Sequence, residues 1–184
     1  RTYDRKDFGI SPPGDTLLSQ LFQNDISTLG IGKISDLFGE EFLNKSIHTE
    51  GDENGMQILL DNYKSADYDF YFINLVDLDM LYGHREDPKG YYEGLKIIDR
   101  QLSKLMDNLH DDDVLIITGD HGTDPTDGKT DHSREYVPFV IYKNNITPKN
   151  IGSGNTFANI ASTISEFYGL ENIFPGKSFI QDIW

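Results

Sequence analysis

The chain has no cysteine and one tryptophan, and among its 184 residues 16 basic side chains face 31 acidic ones. Without cysteine there are no disulfides, thiolate ligands or thiol nucleophiles, a composition that suits a reducing compartment and makes a cytoplasmic protein the expectation. A net charge of -15 leaves no basic footprint for nucleic acid or an anionic membrane surface, so neither is an expected partner. No apolar run approaches the roughly 18 residues of a membrane span, and no signal-peptide pattern opens the sequence. Methionine is also scarce, and none precedes Met56, so Arg1 is not expected to be a translation start. The length fits one domain. Most of the excess acid is expected to solvate the surface, and only a few carboxylates need be ligands.

Those few are easily located. Val114-Leu-Ile-Ile117 is a continuous, largely β-branched apolar run of the kind that forms a strand covered on both faces. It empties into Thr118-Gly-Asp-His-Gly-Thr-Asp-Pro-Thr126, followed by Asp127-Gly-Lys-Thr-Asp-His-Ser-Arg-Glu-Tyr-Val-Pro138. His121 and His132 stand eleven residues apart, too far for one helical turn, so the loop must fold back for both to reach one centre. Gly122, Pro125 and Gly128 are the residues that turn such a loop. A second fragment, Asn74-Leu-Val-Asp-Leu-Asp-Met-Leu-Tyr-Gly-His-Arg85, repeats the plan, with an apolar run leading to Asp79 and His84. Carboxylates mixed with imidazoles at strand ends suit a transition-metal site. An EF-hand does not fit, because the acidic spacing after Asp120 is wrong and histidine is a poor calcium ligand.

The rest of the chain alternates strand and helix patterns. Asp15 is placed to cap a helix through about residue 23, and a strand is expected over 26–31. A helix follows over about 53–63, then a strand over 70–76. Tyr92, Leu95, Ile98, Leu102, Leu105 and Leu109 recur at steps of three and four, predicting an amphipathic helix over 90–109. Strands over 114–118 and 139–142 and a helix near 157–168 complete the series. Such alternation predicts an α/β layer sandwich with a largely parallel sheet and ligands at the carboxyl ends of its strands. Residues 1–13 are polar and proline-containing, as in a connector leading into a domain over 14–184. Gly30, Gly32 and Lys33 do not make a P-loop, since the spacing is wrong and Ile34 stands where serine or threonine is required.

The Asp77-Leu-Asp79 to Tyr82-Gly-His-Arg85 block, the Asp120-His-Gly-x-Asp-Pro-Thr126 block and the Thr130-Asp-His-x-Arg-Glu-Tyr-Val-Pro138 block, in that order, resemble phosphopentomutase, a manganese-dependent sugar-phosphate mutase of the alkaline phosphatase superfamily. Gly32-Lys-Ile-Ser-Asp36 and Gly55-Met56 share the likeness, which covers essentially the whole chain. It implies an alkaline phosphatase-like fold and interconversion of ribose or deoxyribose 1-phosphate and 5-phosphate. The implied cofactors are two Mn2+, with zinc or another divalent metal as alternatives, and a sugar bisphosphate activator. By the same resemblance Asp79, His84 and His132 hold one metal, and Asp120 and His121 the other, together with an aspartate from an N-terminal half. That half also carries the threonine that becomes phosphorylated, so no catalytic nucleophile is expected in this chain, which matches the C-terminal half of the family pattern and should need the rest of the protein as partner. Thr126 and Thr130 belong to the ligand motif and are not candidates.

Lys33 and Arg134 are the basic candidates for a pentose phosphate substrate, with ordinary ion pairing as the competing role and, for Arg134, orientation of Asp131 or another nearby carboxylate as the alternative. His48 is expected to be exposed and His110 to cap the long helix. Two rivals stay open. One is a related metal-dependent phosphatase or phosphoglycerate mutase, which would share Asp-His-Gly but not the longer extension; the other is a non-catalytic metal-binding fragment.

Overall fold

The computed structural model describes residues 12–183, so the expected connector over 1–13 lies outside the described residues except for its last two positions. Two compact units are present, one comprising the chain to Asn108 together with Thr118–Pro138, the other Leu109–Ile117 together with the chain from Phe139. No helix among the described residues is long and apolar enough to cross a membrane.

The first unit is built on a parallel three-stranded sheet. β1 (Thr28–Ile31) lies between β2 (Lys45–Ile47) and β3 (Phe70–Ile73), with Gly30 opposite both Ser46 and Phe72. All four β1 residues are buried. Helix α1 (Leu17–Gln23), the short α2 (Ile34–Phe38) and α3 (Asp52–Ser65) pack on β1, and α4 (Pro88–Met106) packs along α3. Leu18, Leu21, Leu29, Ile31, Ile34, Met56, Leu59 and Leu60 form the core between these layers.

Several expectations need correction. Thr16, and not Asp15, caps α1: its hydroxyl accepts the Ser19 N–H at 3.1 Å while the Ser19 hydroxyl takes the Thr16 N–H at 2.8 Å. α2 and β2 carry no strong periodicity and were not anticipated. β3 stops at Ile73, because the Asn74 N–H still bonds Ile31 but the next free amides turn toward α3. α4 ends at Met106, so His110 does not cap it; the Asn108 side chain reaches the Lys104 carbonyl instead, and His110 pairs with Asp113.

The second unit holds a two-stranded sheet of β4 (Leu115–Thr118, whose last residue belongs to the first unit) and β5 (Phe139–Tyr142), followed by α5 (Ala158–Phe167) and the short α6 (Ile180–Ile183). Thr163 ties this unit together, accepting the Phe179 N–H and donating to Asn159. Leu115, Ile116 and Ile117 are half-buried rather than covered on both faces, consistent with a strand that has one partner strand among the described residues.

Candidate metal centre

Parallel pairing puts the C-terminal ends of β1, β2 and β3 on one edge of the sheet, and the first ligand arm leaves from there. Gly32, just past β1, has φ +81, and a Cβ on it would lie 2.5 Å from the Asn74 carbonyl oxygen at the end of β3. Only glycine allows the two strand ends to approach this closely. After β3 the chain makes a single π-helical turn (Leu78–Tyr82) and then a 3-10 turn (Gly83–Arg85). These turns place Asp79 and His84 together, with His84 Nε2 3.2 Å from Asp79 Oδ2. Isolated π-turns often occur at functional sites, where the extra residue per turn re-aims a side chain.

The second arm closes on itself as its turn residues require. Gly122 and Ser133 form an antiparallel bridge, with the Ser133 N–H donating to Gly122 O at 3.0 Å. A side chain on Gly122 would meet the Ser133 and Glu135 backbone at 2.9 Å. Within the loop, Asp124 accepts from both the hydroxyl and the N–H of Thr126; the hydroxyl first and the amide second hold its carboxyl below the usual range. The bridge brings His121 and His132 face to face, their ring centroids 3.6 Å apart and their planes within 16°.

The two arms meet. His132 Nε2 lies 3.5 Å from Asp79 Oδ1, and Asp79, His121 and His132 offer ligand atoms within 4.8 Å of one another. Asp120 joins through its Oδ1, 3.6 Å from His121 Nε2, and is largely exposed. The three-residue group thus combines members that the resemblance divides between two metals.

Three local features make this group suitable for a cation. Asp79 Oδ1 is buried and accepts no hydrogen bond among the described residues, with the His132 Nε2 at 3.5 Å, so a cation shared with that ring would satisfy it. His84 Nδ1 lies 2.6 Å from the Thr130 carbonyl, so it must donate there, and Nε2 is the ring nitrogen turned toward Asp79. His121 Nδ1 is similarly directed at Gly122 O, at 3.2 Å. One carboxylate and several imidazoles oriented by carbonyls suit a divalent transition metal.

Lys33 follows β1 at the start of α2, on the same sheet edge, with its amine 3.7 Å from Asp36. Arg134 is exposed two residues beyond His132, and His48 is exposed just past β2. Sequence reasoning did not single out Thr123, whose hydroxyl lies 3.3 Å from His121 Nδ1 and whose methyl packs near Gly83. It also missed Tyr91, whose phenol is held above its ordinary range by burial and then by the negative charge of Asp79. Tyr91 falls beside the apolar positions of α4, and only the fold brings it toward the ligand arm.

Residues 26–172 match the family model of the metalloenzyme superfamily. Curated relatives named phosphopentomutase match the whole chain: it is 44% identical to that of Dictyoglomus turgidum over 184 residues, and 41% identical to that of Anaeromyxobacter sp. (strain K) over 183. In both cases the chain spans 47% of the relative's length. Among solved structures, the PH0037 protein from Pyrococcus horikoshii shares the fold, with a TM-score of 0.54 at 24% identity over 68% of this chain and 40% of that one. With more than half its length matched by that model and a carboxylate–imidazole cluster at its strand ends, the chain belongs to the metalloenzyme superfamily.

Proposed function

We propose that this chain is the metal-binding portion of a phosphopentomutase, which interconverts ribose or deoxyribose 1-phosphate and 5-phosphate. The observation that carries the proposal is the convergence of Asp79, His121 and His132 from two separate arms, in a chain about 40% identical throughout to relatives bearing that name. In this reading Asp79, His84 and His132 hold one Mn2+, and Asp120 and His121 contribute to a second. The two cations, when bound, supply charge neutralisation at the phosphoryl oxygens and activation of the attacking oxygen.

The chain's own residues then have separable tasks. Asp79 and Asp120 provide negative charge that retains cations at the sheet edge. His84 and His121 are oriented by the Thr130 and Gly122 carbonyls, so their Nε2 atoms present lone pairs without a search over ring orientations. Lys33, on the same edge, binds the sugar phosphate, and Arg134 contacts substrate or orients Asp131. The phosphoryl group is carried by a threonine in the part of the relatives that this chain does not span, and a sugar bisphosphate primes that residue. A chain without cysteine suits the reducing cytoplasm, which is the compartment this reading assigns.

A coupled assay converting ribose 5-phosphate to ribose 1-phosphate tests the proposal, run on the chain and on a protein that includes the remaining half, with manganese and a sugar bisphosphate. Activity is expected only in the longer protein, and Asp120→Ala should abolish it. Turnover by the 184-residue chain alone would show that the nucleophile has been misplaced. Hydrolysis of phosphate esters without pentose isomerisation would favour the phosphatase alternative.

A further inference from the structure

We propose that Asp52 is a positioning residue for the metal centre, acting through a reciprocal cap between α3 and the π-turn that carries Asp79. The inference rests on the metal-binding reading of that centre. Helix α3 opens at Gly51–Asp52, and Gly51 has no side chain with which to cap it. The Asp52 N–H is taken instead by Asp77 Oδ2 at 2.8 Å. In return, Asp52 Oδ1 accepts the Val76 N–H at 2.7 Å and the Asp77 N–H at 3.0 Å. These are the amides at the entry to the π-turn, whose first helical bond runs from the Met80 N–H to Val76 O. Each segment therefore supplies the carboxylate that the other's N-terminus lacks.

The arrangement is costlier than capping alone requires. Asp52 is only 6% exposed, its second oxygen is buried without a hydrogen-bond partner among the described residues, and its partner is another carboxylate. Burial outweighs the amide donors and pushes the Asp52 carboxyl up to about 6. A serine or threonine cap would avoid burying an acid, but it would require position 51 to leave the φ of 132 that glycine holds here. What the local alternative would not do is connect α3 to the π-turn. Through Met56, Leu59 and Leu60, α3 is anchored in the core of the first unit. Asp79 lies two residues past Asp77 on a short irregular segment with no buried side chain of its own. Two amides held by a core-anchored carboxylate fix the direction of that segment, and hence the place of Asp79 relative to His132. Metal affinity depends steeply on such support, and loss of a residue that orients a ligand typically weakens binding about 10–100-fold.

Titration calorimetry of Mn2+ into the 184-residue protein provides the test, using wild type, Asp52→Ala, Asp52→Asn and Leu21→Ala. Asp52→Ala is expected to bind at least about tenfold more weakly, whereas Asp52→Asn should stay within about threefold of wild type, because its amide oxygen can accept the same two N–H groups. Amide hydrogen exchange at Val76 and Asp77 should accelerate in Asp52→Ala and not in Asp52→Asn. Leu21→Ala destabilises the core of the first unit from α1, away from α3 and the cap, and should retain wild-type affinity. Unchanged affinity in Asp52→Ala would overturn the proposal. So would an equal loss in Leu21→Ala, which would reduce Asp52 to a structural role, or a failure of asparagine to rescue. A wild-type protein that binds no Mn2+ would overturn the metal reading itself and this inference with it, an outcome distinct from the other three.

Discussion

Replacing Gly83 with alanine asks whether the two ligand arms are held in register by direct contact. Gly83 has φ -61 and ψ -62, a helical conformation in which alanine is intrinsically favoured over glycine by about 0.5–1 kcal/mol. On backbone grounds alone the substitution would stabilise the protein. A Cβ at this position, however, would lie 2.4 Å from Thr123 Cγ2, where ordinary contact begins at 3.4 Å. One arm must therefore retreat by about 1 Å, and overpacking on this scale costs about 1–3 kcal/mol. The steric term wins, and a net loss of roughly 0.5–2 kcal/mol is expected. Thr123→Ser removes the offending methyl but keeps the hydroxyl beside His121 Nδ1. The nearest remaining neighbours of the new Cβ would be the Leu78 carbonyl at 3.2 Å and Thr123 Cβ at 3.6 Å. In that background Gly83→Ala should become neutral or mildly stabilising, giving a coupling energy of about 1–2 kcal/mol in a double-mutant cycle. Urea denaturation of the four proteins measures the cycle, and parallel Mn2+ titrations should show affinity lost in Gly83→Ala and recovered in the double variant. Equal costs in both backgrounds, or stabilisation by alanine beside the native threonine, would refute the reasoning.

Two further outcomes are expected. His132→Ala should weaken Mn2+ binding at least about tenfold while leaving the far-UV spectrum unchanged, and binding to the wild type should decline in acid because imidazole must shed its proton to ligate; unchanged affinity would remove His132 from the site. For Asp52, the folded-state pKa of about 6 stands above the ordinary 3.8, so the folded protein holds this proton more tightly than the unfolded chain. The associated stability is full below about pH 4 and is lost as pH rises through 6, a change on the order of 2–3 kcal/mol. Asp52→Asn should lack this component, and stability-against-pH curves that run parallel for the two proteins would contradict the assignment.

The sequence by itself determined the elements whose signal is local. Six apolar positions at helical steps specify α4 to within three residues at its C-terminus, and the apolar runs before Asp79 and Asp120 identify the strands from which the candidate ligands issue. Carboxylates mixed with imidazoles at strand ends also pointed to a metal site, and the resemblance supplied the full set of ligand candidates. The three-residue β2, the five-residue α2 and the π-turn were not legible, since segments so short owe their geometry to neighbours rather than to propensity. Contact across the chain decided the rest. The Gly122–Ser133 bridge makes stacked partners of two histidines eleven residues apart. In sequence Asp52 stands just before the helix expected over about 53–63, where an acidic residue is favourable to the helix dipole and nothing more. Its role at the π-turn exists only because parallel pairing of β1 and β3, with α3 packed on both, brings residue 52 to the amides of residues 76 and 77.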